Sequence, residues 1–142
     1  MNELILIIHV LSATIWVGGH LIMMFRYLPE VIRSNDMSSL LNFESKYEIM
    51  GKPSLILLII TGFWMGLSYE ANPINWFSFE NEIYSLLAVK TILLLITLIS
   101  AIDAHTRIAK KEGIDLVKST AFHIRVVTIA AVLLLIAGVR LP

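Results

Sequence analysis

Four long apolar runs dominate this sequence and limit what the chain can fold into. Crossing about 30 Å of hydrocarbon takes roughly 20 apolar residues in a helix, and each run is near or above that length. The chain is 57% hydrophobic and only 15% charged, which is too little polar surface for a soluble domain of this size. The sequence therefore predicts an all-α integral membrane four-helix bundle, with 1–142 as a single domain. The predicted helices cover residues 4–28, 53–69, 83–108 and 121–141.

The connections between these runs carry turn signals. Pro29 is expected to end the first helix, and 51–53 (Gly-Lys-Pro) to begin the second, with 47–51 as an extension at the surface. Residues 71–73 (Ala-Asn-Pro) are expected to end the second helix, and 111–113 (Lys-Glu-Gly) to form the third turn.

The charges of the connections predict an orientation. Lysine and arginine are concentrated in and around the first and third connections, whereas residues 70–82 contain none. Because cytoplasmic loops of membrane proteins are enriched in Lys and Arg, we expect both termini on the outer side. The zero net charge gives no basic footprint for nucleic acid, and the absence of cysteine excludes thiolate-held metals and covalently attached haem.

Two ionisable residues lie inside the predicted spans at one depth. His9 is about six residues into the first helix and Lys90 about seven residues into the third, so each falls roughly 10 Å below the outer boundary. A charged group in hydrocarbon is costly, and such residues usually mark a site. We therefore expect His9 and Lys90 to share a site; the alternative is that each side chain finds a backbone carbonyl or water on its own.

The other histidines also lie in or beside the spans. His9, Ala13, Trp16 and His20 follow helical spacing, so they form one stripe with two imidazoles ~16 Å apart. His105 and His123 fall at the predicted cytoplasmic ends of the third and fourth helices.

Imidazole in a helical bundle serves haem ligation, metal coordination or proton relay. Haem b suits this chain because small residues make room for a macrocycle and no thiolate competes as a ligand. All four histidines are candidate ligands, and Arg26, Arg107 and Arg125 are candidate partners for haem propionates. The competing prediction is a Cu(I) site formed by His20 with Met23, Met24 and Met50.

Residues 9–19 (His-Val-Leu-Ser-Ala-Thr-Ile-Trp-Val-Gly-Gly) resemble the first helix shared by two membrane families, the HemJ-type protoporphyrinogen IX oxidases and the CopD-type copper-resistance domains. The likeness to the HemJ type continues along the chain at 44–47 (Glu-Ser-Lys-Tyr), at Met50 and Pro53, at 61–64 (Thr-Gly-Phe-Trp) and at 87–90 (Leu-Ala-Val-Lys). The chain departs from that family at 122–128, where the usual Asn-Glu motif is absent, and Gly18-Gly19 is closer to the CopD type.

The resemblance implies a haem b protein of the bacterial inner membrane. It implies that His9 and Lys90 are the functional pair in the oxidation of protoporphyrinogen IX to protoporphyrin IX, with electrons passed to a membrane acceptor. Two alternatives remain: a non-enzymatic cytochrome b with one or two haems, and CopD-like copper handling. A homodimer through the Gly62 and Gly66 step is a further candidate interaction.

Overall fold

The structure, a computed structural model, describes residues 3–106 and 108–141, and these are folded as helices joined by short connections. Four stretches are long and apolar enough to cross a membrane: 3–34, 38–69, 82–106 and 113–139. The first consists of α1 (Glu3–Ile22), a π-helical turn (Met23–Tyr27) and α2 (Leu28–Ser34). The others are α3 (Ser38–Tyr69), α4 (Glu82–Thr106) and α5 (Gly113–Val139), and two 3₁₀ turns cover Pro73–Ser78 and Ile108–Lys110.

The sequence predicted that Pro29 ends the first helix, and this prediction was wrong. Proline lacks the N–H that would bond the carbonyl four residues earlier, and its ring crowds that carbonyl. The chain accommodates it with the π turn, in which the Leu28 N–H bonds to Met23 O, five residues back. The same turn lets Met23 and Leu28 both face the core, where they are 6% and 3% exposed. Helical structure then continues to Ser34.

The second helix also begins earlier than predicted. α3 starts at Ser38, so Pro53 lies inside it rather than at its start. The Ser54 hydroxyl donates to Met50 O at 2.7 Å, next to Ile49 O, the carbonyl that loses its N–H partner at Pro53. The sharp turn sits instead at 35–37, where Asn35 adopts a left-handed conformation (φ 55°) and caps α2. The third turn falls where predicted, with Gly113 at φ 57°.

The helices alternate in direction and pack in the order α3, α1, α5, α4. The main interfaces are α1 with α3, α4 with α5, and α1 with α5, whereas α3 and α4 barely touch directly. We call the end carrying residue 3, the 70–81 connection and residue 139 the near end, and the opposite end the far end.

The two ends are held differently. At the far end a buried cluster joins the π turn, α2, α3 and α5, and its most buried members are Val31 and Leu40. At the near end Trp76, from the 3₁₀ turn, packs on Gly66 and bridges α3 to the neighbourhood of Leu87 on α4. A methyl group at Gly66 would lie 2.8 Å from the Trp76 ring, and one at Gly62 would lie 3.2 Å from His9. Both glycines of the predicted dimer step thus serve packing within the chain.

Candidate cofactor site on the first helix

The predicted stripe on α1 turns toward the interior of the bundle. His9 is half-buried, and His20, eleven residues later, is only 5% exposed. At 1.5 Å per residue the two imidazoles are ~16 Å apart along the axis. They are too far apart to bind one metal ion, and they form two separate layers, which we call the His9 layer and the His20 layer.

In the His9 layer the imidazole is held by a second helix. His9 Nδ1 lies 2.7 Å from Thr61 Oγ1 on α3, and the Thr61 hydroxyl donates its proton to Leu57 O at 2.6 Å. Because that proton is already committed, Thr61 accepts from His9, and Nδ1 must carry the imidazole proton. Nε2 therefore keeps its lone pair, which is the form of histidine that binds iron or accepts a proton.

In the His20 layer the imidazole is held by its own helix. His20 Nδ1 lies 2.9 Å from Trp16 O, and a carbonyl can only accept, so Nδ1–H donates there as well. The Tyr47 hydroxyl donates to the same carbonyl at 3.1 Å. Rings of Trp16 and Tyr47 flank the imidazole at centroid distances of 4.3 and 6.0 Å. His20 Nε2 is again the nitrogen with the free lone pair.

Trp16 supplies a further polar group beside His20. Its Nε1–H is buried and has no hydrogen-bond partner among the described residues. A buried donor left unpaired costs about 1–3 kcal/mol, so such a group is a signal for a bound molecule. The His20 layer thus offers one unpaired hydrogen-bond donor, on Trp16, and one available nitrogen lone pair, on His20.

Lys90, on α4, lies near the His9 layer. Its ammonium is close enough to act electrostatically on His9. The ammonium also lies near the last turn of α5, since a methyl group at Gly138 would be 3.7 Å from Nζ. The C-terminus of a helix carries partial negative charge and favours a cation. The structure thus brings His9 and Lys90 to one end of the bundle and also gives Lys90 a favourable place when no ligand is bound.

His123 and His105 occupy different surroundings. His123 on α5 lies close enough to His20 for an electrostatic interaction, and it also interacts with Asp103 on α4. It lines a far-end groove of about 470 Å³ between α4 and α5. His105 is exposed near the end of α4 and does not line that groove. His123 is therefore the better placed of the two as a partner for the His20 layer.

The predicted propionate partners do not form one set. Arg26 is exposed and bound to Glu30 at 3.0 Å, and its guanidinium lies over the Tyr27 ring. Arg125 lines a separate far-end groove with Arg33. Arg107 lies outside the described residues.

The predicted copper ligands do not form one set. Met23 is buried in the far-end cluster, Met24 packs against that cluster and lines the groove that holds Arg125, and Met50 is 59% exposed on α3. Within residues 3–106 and 108–141, no group of three or more His, Asp or Glu side chains is placed to hold a metal ion.

Comparisons with protein-family models, with curated proteins and with solved structures find no match to this chain. The likeness to the HemJ and CopD types therefore stays a prediction from the motifs.

Thr61 and Tyr47 are the site residues that sequence reasoning missed. Both lie within motifs that were singled out for their resemblance, at 61–64 and 44–47, but their partners on α1 are 52 and 31 residues away. The available signal for Thr61 was a hydroxyl inside an apolar run, since a buried hydroxyl needs a partner.

Proposed function

We propose that this chain is a haem b-binding redox protein of the bacterial cytoplasmic membrane, with both termini outside. The observation that carries the proposal is the fixed tautomer of His9 and His20, each of which donates through Nδ1 and keeps Nε2 free. Imidazole ligands of metals are oriented by such hydrogen bonds. Membrane insertion is supported by four stretches of suitable length and hydropathy, and orientation by the distribution of lysine and arginine.

Within this proposal the His20 layer holds the haem. His20 would hold the haem iron through Nε2, and Trp16 Nε1 would donate a hydrogen bond to the group. His123 is the candidate second ligand, because it is the histidine on another helix that interacts with His20. When bound, haem would supply one-electron redox chemistry. The remaining work of the protein is to orient the imidazole, exclude water and keep the ligand neutral.

The test is the haem content of protein made with ample haem and purified in detergent. We expect a haem α-band in the reduced-minus-oxidised spectrum, and at least one haem per chain by pyridine extraction. Protein without an α-band would contradict both the haem assignment and the electron-carrier alternative.

A second candidate function, oxidation of protoporphyrinogen IX, is favoured by the closeness of Lys90 and His9. The reaction removes six electrons and six protons, and the electrons need a membrane acceptor such as a quinone. Lys90 would bind a propionate of the substrate, and His9 Nε2 would accept a proton.

Complementation separates the two functions. In a strain lacking its own protoporphyrinogen oxidase, we expect the chain to restore growth, Lys90→Met to abolish rescue, and Lys90→Arg to restore part of it. Haem content should stay unchanged in both variants. Failure of the unmutated chain to rescue would remove the enzyme and leave the haem-binding carrier. Rescue by Lys90→Met would remove the role of Lys90.

A further inference from the structure

The far end carries a second groove that the haem proposal does not use. It has a volume of about 450 Å³ and lies where the π turn and α2 meet α5. Its walls are apolar side chains, among them Phe25, Leu28 and Ile32, and it also contains Arg33 and Arg125. Phe25 and Ile32 are 70% and 44% exposed, so the apolar surface of the groove is open.

The two arginines have no anion to neutralise them. Within the described residues neither Arg33 nor Arg125 forms an ion pair, and the nearby carboxylate of Glu30 is already bound to Arg26. The guanidinium groups come from different helices, α2 and α5, and both are exposed. Two unpaired cations beside an open apolar groove are complementary to a molecule with an anionic head and an apolar tail.

The π turn helps to shape this groove. It adds one residue to a helical turn, which rotates the following residues by about 100° relative to an unbroken α-helix. Leu28 and Val31 thereby face the core, while Ile32 and Arg33 are left outside. Pro29, two residues beyond the π turn, lines the groove itself.

We propose that this groove binds an anionic phospholipid, with its phosphate between Arg33 and Arg125 and its acyl chains along the apolar wall. Guanidinium forks match phosphate oxygens. Anionic lipids are attracted to basic residues at the cytoplasmic face of a membrane, which is where the proposed orientation puts the far end. The inference needs membrane insertion but not haem, so it goes beyond the proposed function.

The test compares phosphatidylglycerol with phosphatidylcholine of the same acyl chains, bound to the full chain in detergent and measured by native mass spectrometry. We expect the unmodified chain to prefer phosphatidylglycerol. Arg33→Gln with Arg125→Gln should weaken that lipid roughly tenfold and remove the preference. Arg26→Gln is the matched control, since this neighbouring arginine is already ion-paired, and should leave the preference near its original value.

Three results would overturn the proposal: no preference in the unmodified chain, an equal loss in the Arg26 control, or a preference that added salt does not weaken. The salt series uses unmodified protein, so it tests the lipid preference even if the double variant fails to fold. If protoporphyrin displaces phosphatidylglycerol and itself binds through the two arginines, the groove is a porphyrin site instead. Lipid binding by protein without haem would keep this inference while the haem proposal fails.

Discussion

His9 and His20 lie on the same face of one helix, yet the protein surrounds them differently. His20 is sealed between the rings of Trp16 and Tyr47, and its hydrogen bond goes to its own helix. His9 is half-exposed, bonds to a hydroxyl of a different helix, and faces the charge of Lys90. Each layer contains a histidine on the same face of α1, so residue type does not distinguish them. The different packing around each imidazole sets its chemistry.

The difference suggests a division of labour under the proposed function. A permanently bound group needs a rigid, water-free ligand, which the His20 layer offers. A substrate that enters and leaves needs an accessible group beside a charge, which the His9 layer offers. Glycines next to each layer provide a way to test the contrast, because an added methyl group meets a different neighbour at each.

The largest effect is expected at Gly19. A methyl group there would overlap the Tyr47 ring, whereas one at the adjacent Gly18 meets nothing within 4 Å. Gly19→Ala should lower the free energy of unfolding by about 1–3 kcal/mol. Gly18→Ala should leave it unchanged or raise it by about 0.5–1 kcal/mol, because alanine favours the helix. Thermal unfolding in detergent measures both, and equal effects would show that the His20 layer is not tightly packed.

Thr61→Val removes the acceptor of His9 without changing the size of the side chain. We expect a loss of about 1 kcal/mol in the free energy of unfolding, because the His9 N–H loses its partner. Rescue in the complementation assay should also weaken, since the imidazole is no longer oriented. Thr61→Ser keeps the hydroxyl and should retain rescue. If the Thr61→Val and Thr61→Ser variants rescue growth equally well, the hydrogen bond does not orient His9.

Gly62→Ala tests how much the packing of the His9 layer can adjust to an added methyl group. The new methyl group would lie 3.2 Å from His9 Cε1, and a half-exposed ring has room to move. We therefore expect a loss below about 1 kcal/mol, smaller than that of Gly19→Ala. A larger loss than at Gly19 would reverse the contrast between the two layers.

The smallest expected effect is the pH dependence of the near-end connection. Glu70 accepts from the Tyr84 hydroxyl at 2.6 Å and from Asn72 N at 2.8 Å, and these bonds hold the pKa of Glu70 below its ordinary value. A depressed pKa stabilises the fold above the unfolded pKa, and that contribution is lost as pH falls through the folded pKa.

We accordingly expect the near end to loosen only below about pH 4. Because Trp76 Nε1 donates to Glu70 O, its fluorescence should change in that range. The change should be absent from Trp76→Phe and should shift to higher pH in Tyr84→Phe. An unchanged midpoint in Tyr84→Phe would show that this hydrogen bond does not set the pKa.

The sequence was sufficient to predict the four apolar stretches and the stripe on the first helix, because both depend on local hydropathy and helical spacing. It failed at Pro29 and Pro53, where proline signals were interpreted as helix ends. Both prolines lie within helices instead, Pro29 in α2 and Pro53 in α3, and the charged stretch between them is mostly helical. The bond from His9 to Thr61 joins residues 52 apart, so no local pattern could predict it.

The most direct test of the two-layer account is the haem content of His9→Ala and His20→Ala, measured side by side with the unmodified chain. The account predicts that His20→Ala loses the haem α-band, whereas His9→Ala keeps it and loses rescue of the oxidase-deficient strain. His105→Ala, at an exposed position, should retain both. Loss of the α-band in His9→Ala with its retention in His20→Ala would contradict the account.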